Sequence, residues 1–478
     1  MARKRKTRRP RSLRGPEPLR RIRSDVAGID IGSEEHWVGG PERDDGEANV
    51  KVFRSVTCDL RALGAWLIEQ GVTSVAMEST HVYWIPVYEL LEELGIEVLL
   101  VNARQLHNVP GRKTDMADCQ WLQLLHSCGL LRGSFRPHES ICRLRALRRQ
   151  MGNLVEERSR IVQRMQMALD QMNVLVHRAV TDITGKTGLS IVRAIVAGER
   201  DPSKLALLRD KRCLKSEEEI AEYLTGTWRE EHLFNLEMNL RLYDSLLEVI
   251  ACYEARLLEE IKKLQPPERR EARVPAHPNP TKQKAMNRRK EGELREDLWR
   301  FAGVDLTRID GISAPTACVI LTEVGPDLAA FPSERHFASW LRLAPKTAFS
   351  AGKPLKKKRN GMGATRVACA LRMAALSLKR SKTALGAYFR RIARRKDYST
   401  AVFATARKLA IWIYRMLRYG QDYVDIGETA YEARYQEQRL RGLADAAKQL
   451  GFQLAPAAVI PGLSPSVASN NRTLEASS

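Results

Sequence analysis

The stretch Val26-Ala27-Gly28-Ile29-Asp30-Ile31-Gly32 decides how the chain is read, because an apolar run of strand type carries a carboxylate in its middle. A second apolar run, Val75-Ala76-Met77-Glu78, ends on a glutamate. A third stretch, Lys113-Thr114-Asp115-Met116-Ala117-Asp118, holds two acids three residues apart. An unpaired carboxylate in apolar surroundings costs several kcal/mol, so acids persist there when a cation or a donor compensates them. Asp115 and Asp118, at i and i+3, face one side of a helix, and Asp115 near its N-terminus suits the helix dipole. Glu34 and Glu35 follow the first strand and read as solvent-facing.

The composition limits what these acids can serve. The chain has 478 residues, room for two to four domains, and 44% of them are hydrophobic, enough for sizeable cores. Its formal charge of +22 favours a polyanionic partner, most simply DNA or RNA. The eight cysteines are scattered with no Cys-x-x-Cys, which argues against a zinc site or a disulfide framework and fits a reducing cytosol. No apolar run reaches the roughly 18 residues of a membrane span, so no membrane partner is expected, and the basic N-terminus lacks the apolar core of a signal peptide. Four such acids in so basic a protein point to Mg²⁺ chemistry on nucleic acid.

Along the chain, residues 1–24 are dense in Lys and Arg and read as a disordered arm suited to nucleic-acid contact. Residues 25–135 alternate strands (26–31, 49–53, 73–78, 96–101) with helices (58–70, 84–94, 115–129). Strands come first and helices later, as in the mixed sheet of a ribonuclease H fold. In 136–265 the period changes: Leu144, Leu147, Met151, Leu154, Ile161, Met165 and Met172 follow heptad spacing, with Arg158 interrupting it. Leu233, Leu236, Leu240, Tyr243, Leu247, Ile250, Leu257, Ile261 and Leu264 follow the same rule. The two segments read either as a coiled coil, paired with each other or between subunits, or as ordinary bundle helices. Residues 184–226 form an insert between them. Residues 266–291 read as an exposed linker, 292–425 as a mostly helical domain, and 426–478 as a charged helical segment followed by a disordered tail.

Mg²⁺ takes oxygen ligands and usually binds few carboxylates, together with water and phosphate oxygens. Asp30 on a first strand, Glu78 on a neighbouring strand, and Asp115 with Asp118 on a later helix follow the order of a ribonuclease H-type site; Mn²⁺ would suit the same donors. Read singly, Asp115 is equally a helix-terminal acid and Asp118 a solvent-facing one. Arg112 and Lys113 would bring positive charge beside the acids. His81, Tyr83 and Trp84 would stack on bases or pack the domain.

In the second half, Asp310-Gly311-Ile312-Ser313 reads either as a helix-hairpin-helix turn, whose backbone N–H groups grip a phosphate, or as a plain turn between helices. Ser350 lies between helices beside the basic loop Lys353-Pro354-Leu355-Lys356-Lys357-Lys358-Arg359. Taken alone it is a turn residue; activated, it would be a nucleophile.

The joint order of these pieces resembles the DEDD transposases of bacterial insertion sequences, the family numbered one hundred and ten, over about residues 25–425. The resemblance rests on Gly28-Ile29-Asp30-Ile31-Gly32, on Met77-Glu78-Ser79-Thr80 through Tyr83-Trp84, and on Lys113-Thr114-Asp115-Met116-Ala117-Asp118. It continues through Leu306 to Gly325, Ala344-Pro345 through Ser350-Ala351-Gly352-Lys353, and Ala406-Arg407-Lys408-Leu409-Ala410. Ala351 stands where family members often have glycine directly after the serine.

The resemblance implies a RuvC-like α/β domain, a coiled-coil domain and a mostly helical transposase domain. It implies Mg²⁺ held by Asp30, Glu78, Asp115 and Asp118, and Ser350 attacking DNA to form a phosphoserine link. It also implies a site shared between subunits of a dimer or tetramer, a structured guide RNA that pairs with element ends and target DNA, and a cytoplasmic, nucleoid-associated place in a bacterium. A RuvC-type nuclease using water, and a non-catalytic nucleic-acid binder, are the alternative readings of the same residues.

Overall fold

A computed structural model describes residues 21–41, 49–79, 81–102, 115–344, 349–350, 353–354 and 365–454. The chain divides into two compact units, Met1–Arg136 and Pro137–Ser478.

The first unit is built on one five-stranded sheet. Its strands are β1 (Val26–Ile31), β2 (Glu35–Gly39), β3 (Val50–Arg54), β4 (Ser74–Glu78) and β5 (Glu97–Val101), in the order β3-β2-β1-β4-β5. β1 pairs antiparallel with β2 and β2 with β3, while β1–β4 and β4–β5 are parallel. The sheet is mixed, as expected. Sequence reading missed β2, because Glu-His-Trp-Val-Gly follows the first strand so closely that it looks like its trailing loop; Glu34 and Glu35 are exposed, as read.

Strand alternation sorts the residues by face. Ala27, Ile29, Val75 and Met77 share a core with Leu63 and Leu67 of helix α1 (Thr57–Glu69) and Val87 and Leu91 of helix α2 (Trp84–Glu93). Apart from Ala27, each of these fully buried side chains contributes roughly 1.5–3 kcal/mol. The other face carries helix α3 (Asp115–Ser127), which packs on β1, β2 and β4. Two glycines set how close it comes. Gly28 and Gly39 are cross-strand partners, and a Cβ on Gly28 would lie 2.3 Å from the Cys119 carbonyl oxygen and 2.4 Å from the Gln123 amide nitrogen.

Among the described residues of the second unit, the regular elements are helices and one small hairpin. Helices α4 (Glu139–Gln171) and α9 (Glu230–Lys263) pack side by side. Arg164 Nε donates to Asn239 Oδ1 at 2.9 Å near one end, and Arg143 neighbours Glu260 near the other, so the two helices run antiparallel. This is the pairing of the two heptad segments with each other. Between them, α5 (Val176–Ala179) precedes the insert of residues 184–226, which folds as α6 (Lys186–Val196), α7 (Pro202–Ala206) and α8 (Glu217–Leu224). Ile191, Ile195, Leu205, Ile220 and Leu224 close a core on Met165, Leu169, Leu236 and Leu240 of the long helices.

The stretch 266–291, expected as an exposed linker, contains α10 (Pro280–Arg288), capped by the Asn279 side chain. His277 and Met286 are buried, and the Lys282 ammonium donates to the carbonyl oxygens of Thr307 and Ile309. Its scarcity of apolar residues hid these polar anchors. Next come α11 (Gly292–Ala302), α12 (Ala314–Val324) and α13 (Glu334–Trp340). A two-stranded hairpin of β6 (Phe349–Ser350) and β7 (Lys353–Pro354) precedes α14 (Arg366–Ser377), α15 (Ala384–Arg395), α16 (Tyr398–Tyr419) and α17 (Gly427–Gln449). Glu323 of α12 is buried and accepts two hydrogen bonds from Arg149 of α4, at 3.0 and 2.8 Å. That ion pair ties the long hairpin to the C-terminal helices. Among the described residues no helix is long and apolar enough to cross a membrane.

Candidate active site

The acids of the first unit are positioned by register. Ile29 of β1 lies beside Met77 of β4 in a parallel ladder, so the following residues, Asp30 and Glu78, emerge together on the opposite face. Gly28 and Ala76 share that face and lie against α3, so both carboxylates sit at the strand ends on the α3 side. Both residues are half-buried.

Helix α3 runs opposite to β1 and β4. His126 near its end meets Ser74 at the start of β4, with Nε2 and Oγ 2.8 Å apart, and Cys119 near its start covers Gly28. Its first turn, which carries Asp115 and Asp118, therefore points toward the strand ends that bear Asp30 and Glu78. Asp118 is exposed; Asp115 is the first residue of the helix, with its side chain outside the described part.

Cys119 reports the local field. Its buried thiol is pushed up to about 12, first by desolvation and then by the carboxylates of Asp30 and Asp118. One sulfur thus senses an acid from the strand and an acid from the helix, and it stays a neutral thiol near pH 7. Among the described residues no three His, Cys, Asp or Glu side chains group tightly enough to hold an ion. The described donors here are carboxylates beside a protonated thiol, a set suited to a hard cation such as Mg²⁺ and not to zinc.

Two neighbours escaped sequence reading. Trp37 is the cross-strand partner of Asp30, so it shares the acid's face, and its Nε1 donates to Glu35 Oε1 at 3.0 Å. Only recognition of β2 would have signalled it. His36, one residue earlier, is buried, is lowered by burial and has an unpartnered Nδ1. Beyond Glu78, His81 takes a left-handed φ of 53° and is exposed together with Val82 and Tyr83. Trp84 packs instead: it meets Tyr88 edge-on at 5.8 Å, and the Arg136 guanidinium lies 3.8 Å from the Tyr88 ring centre. Of the two readings of these aromatics, Trp84 takes packing, while Tyr83 remains open to solvent.

In the second unit, Ser350 is the inner residue of the β6–β7 hairpin and pairs with Lys353. Their side chains, and residues Lys356, Lys357, Lys358 and Arg359, lie outside the described part, as do Arg112 and Lys113. Gly311 has φ 84°, and a Cβ there would meet the Ala374 carbonyl oxygen at 2.9 Å and Leu378 at 3.1 Å. Packing against α14 therefore demands this glycine. Ser313 caps α12 by accepting from the Thr316 amide. Asp310 accepts from the Tyr423 hydroxyl at 2.9 Å and is raised, chiefly by burial.

Two family models match the chain. Residues 27–174 match a transposase model, the DEDD transposase of the IS110 type, and residues 283–390 match the Transposase IS116/IS110/IS902 family. No curated protein matches it. The first match takes in β1 from Ala27 onward, β4 and α3, the elements that carry the four acids, and the second takes in the hairpin of Ser350. With both pieces present in order, the chain resembles the DEDD transposases of the IS110 family, and that kinship supports a DNA transposase or recombinase.

Proposed function

We propose that the protein is a Mg²⁺-dependent, RNA-guided DNA recombinase of an insertion sequence, acting as a homo-oligomer on element ends and target DNA in the bacterial cytoplasm. The observation that carries this reading is the parallel register that brings Asp30 and Glu78 out together on the face of α3. Asp30, Glu78, Asp115 and Asp118 would hold the ion. When bound, Mg²⁺ supplies positive charge for the phosphoryl-transfer transition state. Arg112, Lys113 and the basic loop 353–359 hold the phosphodiester backbone, and Gly311 lies in a turn fit to meet a phosphate.

Ser350 gives up its hydroxyl proton and bonds to phosphorus, while the bond from phosphorus to one bridging oxygen breaks. That oxygen leaves as a strand-end hydroxyl. The phosphoserine ester keeps the phosphodiester's bond energy, so a second strand-end hydroxyl rejoins the DNA without a nucleotide cofactor. The sequence holds no Walker-type phosphate loop, in agreement with that balance.

A denaturing gel with Mg²⁺, flanking RNA and terminal DNA tests the mechanism. Wild type is expected to give a covalent protein–DNA band that both Ser350→Ala and Asp30→Ala lose. Cleavage that survives Ser350→Ala without a linked band would make the protein a water-using nuclease instead.

A further inference from the structure

The outer part of the second unit carries a second anion-accepting feature. Helix α15 has four arginines and no acid. Arg390 pairs with Glu428 at 2.5 Å, which docks the start of α17. The Arg391 guanidinium lies 3.9 Å from the Tyr435 ring centre, 5.2 Å from that of Tyr431 and 5.4 Å from that of Tyr388. α17 buries none of its own residues, so these polar and cation–π contacts stand in for a hydrophobic seam.

Between the two helices lies a cavity of about 430 Å³, lined by Arg394, Arg395, Arg439, Tyr431 and Tyr435, with Glu432 its sole acid. Arg394, Arg395 and Arg439 are exposed, and among the described residues no carboxylate pairs with them. Further arginines lie close to the neighbouring helix α16. Lys408 on α16 is held below its ordinary value by desolvation and by Arg415, Arg391 and Arg407. Such a surface gains from a polyanion. Rings beside guanidinium groups give unpaired bases a stacking platform with phosphate ligands next to it, which a duplex with its bases paired inside cannot use. The second family match ends at residue 390, so the arginines and tyrosines that line the cavity lie beyond both matched segments.

We propose that the α15–α17 cleft binds a single-stranded stretch of nucleic acid, with an unpaired base against Tyr431 and Tyr435 and its phosphates on Arg394, Arg395 and Arg439. The site deepens the nucleic-acid reading above, and the two fail separately: Asp30→Ala is expected to lose strand joining while keeping single-strand binding by the cleft.

The test is fluorescence anisotropy of the full chain with labelled oligonucleotides of about 12 nucleotides, as single-stranded DNA, as the same sequence in RNA, and as duplex DNA. The triple variant Arg394→Gln/Arg395→Gln/Arg439→Gln is expected to weaken single strands about tenfold or more, with the salt slope falling by about 2. Tyr435→Leu is expected to cost about tenfold at an unchanged salt slope, and Tyr435→Phe to retain binding. The DNA and RNA arms identify which strand the cleft prefers. Removing three cations from the long hairpin (Arg160→Gln, Arg241→Gln, Arg256→Gln) controls for net charge. Equal losses in the two triple variants, or full affinity in Tyr435→Leu, would overturn the proposal.

Discussion

Lys282 carries a charge into the interior of the second unit and spends it on the carbonyl oxygens of Thr307 and Ile309 rather than on a carboxylate. Burial lowers its amine from 10.5 to about 8, against the pull of Asp310 and Asp305 and with the push of Arg295. Below pH 8 both folded and unfolded chains hold the proton, and the cost of the buried charge applies in full. Between about 8 and 10.5 the unfolded chain keeps a proton that the fold has released, so stability rises with pH across that window. From pH 7 to pH 9.5 the wild type should gain roughly 2 kcal/mol relative to Lys282→Met, read as the difference between their urea melts. A difference that stays flat with pH would show that Lys282 is solvated. The carbonyls it holds belong to the turn leading into Asp310 and Gly311, so this lysine, hidden in a stretch that reads as linker, shapes the turn that sequence reading singled out.

At the scale of elements, what the sequence disclosed was periodicity. The apolar runs of β1 and β4, the heptads of α4 and α9 and the helix starting at Ala314 are all visible as patterns of apolar residues, and the structure has strands and helices there. What it concealed was partnership. β2 follows β1 too closely to announce itself, so Trp37 beside Asp30 went unseen; α10 is anchored by Lys282, His277 and a single buried Met286. The glycine of Gly-Ile-Asp-Ile-Gly was legible as a motif, but its reason was not: Gly28 admits the backbone of α3, and that approach orients the first turn of the helix toward Asp30. Gly28→Ala should therefore cost about 1–3 kcal/mol by overpacking and should reduce strand joining along with stability. Gly152, in the interior of α4 with nothing within 4 Å of its Cβ position, supplies the opposite case. Gly152→Ala should gain about 0.5–1 kcal/mol through helix propensity and leave joining intact. If Gly28→Ala melts like wild type, the close seat of α3 is not what sets the site.

For the whole molecule the decisive fact is partition. Asp30, Glu78, Asp115 and Asp118 fall in the first unit and Ser350 in the second. A reaction that needs both must bring the two sets together, within one chain or between subunits, and the family resemblance implies the second arrangement. The distinction has a direct readout. Asp30→Ala and Ser350→Ala proteins, each expected to be inactive alone, are mixed and assembled with RNA and DNA. If each site takes its acids from one subunit and its serine from another, some sites in the mixed oligomer receive an intact acid set and an intact Ser350, and joining should return to a sizeable fraction of wild type. If each chain supplies its own complete site, every subunit carries one lesion and the mixture stays as inactive as its parts. Linked DNA should also sit on the Asp30→Ala chain, because in the shared arrangement that chain contributes the serine. Fusing a mass tag to one variant identifies the linked chain on the same denaturing gel. Recovery with DNA on the Ser350→Ala chain would rule out Ser350 as the nucleophile whatever the arrangement of subunits.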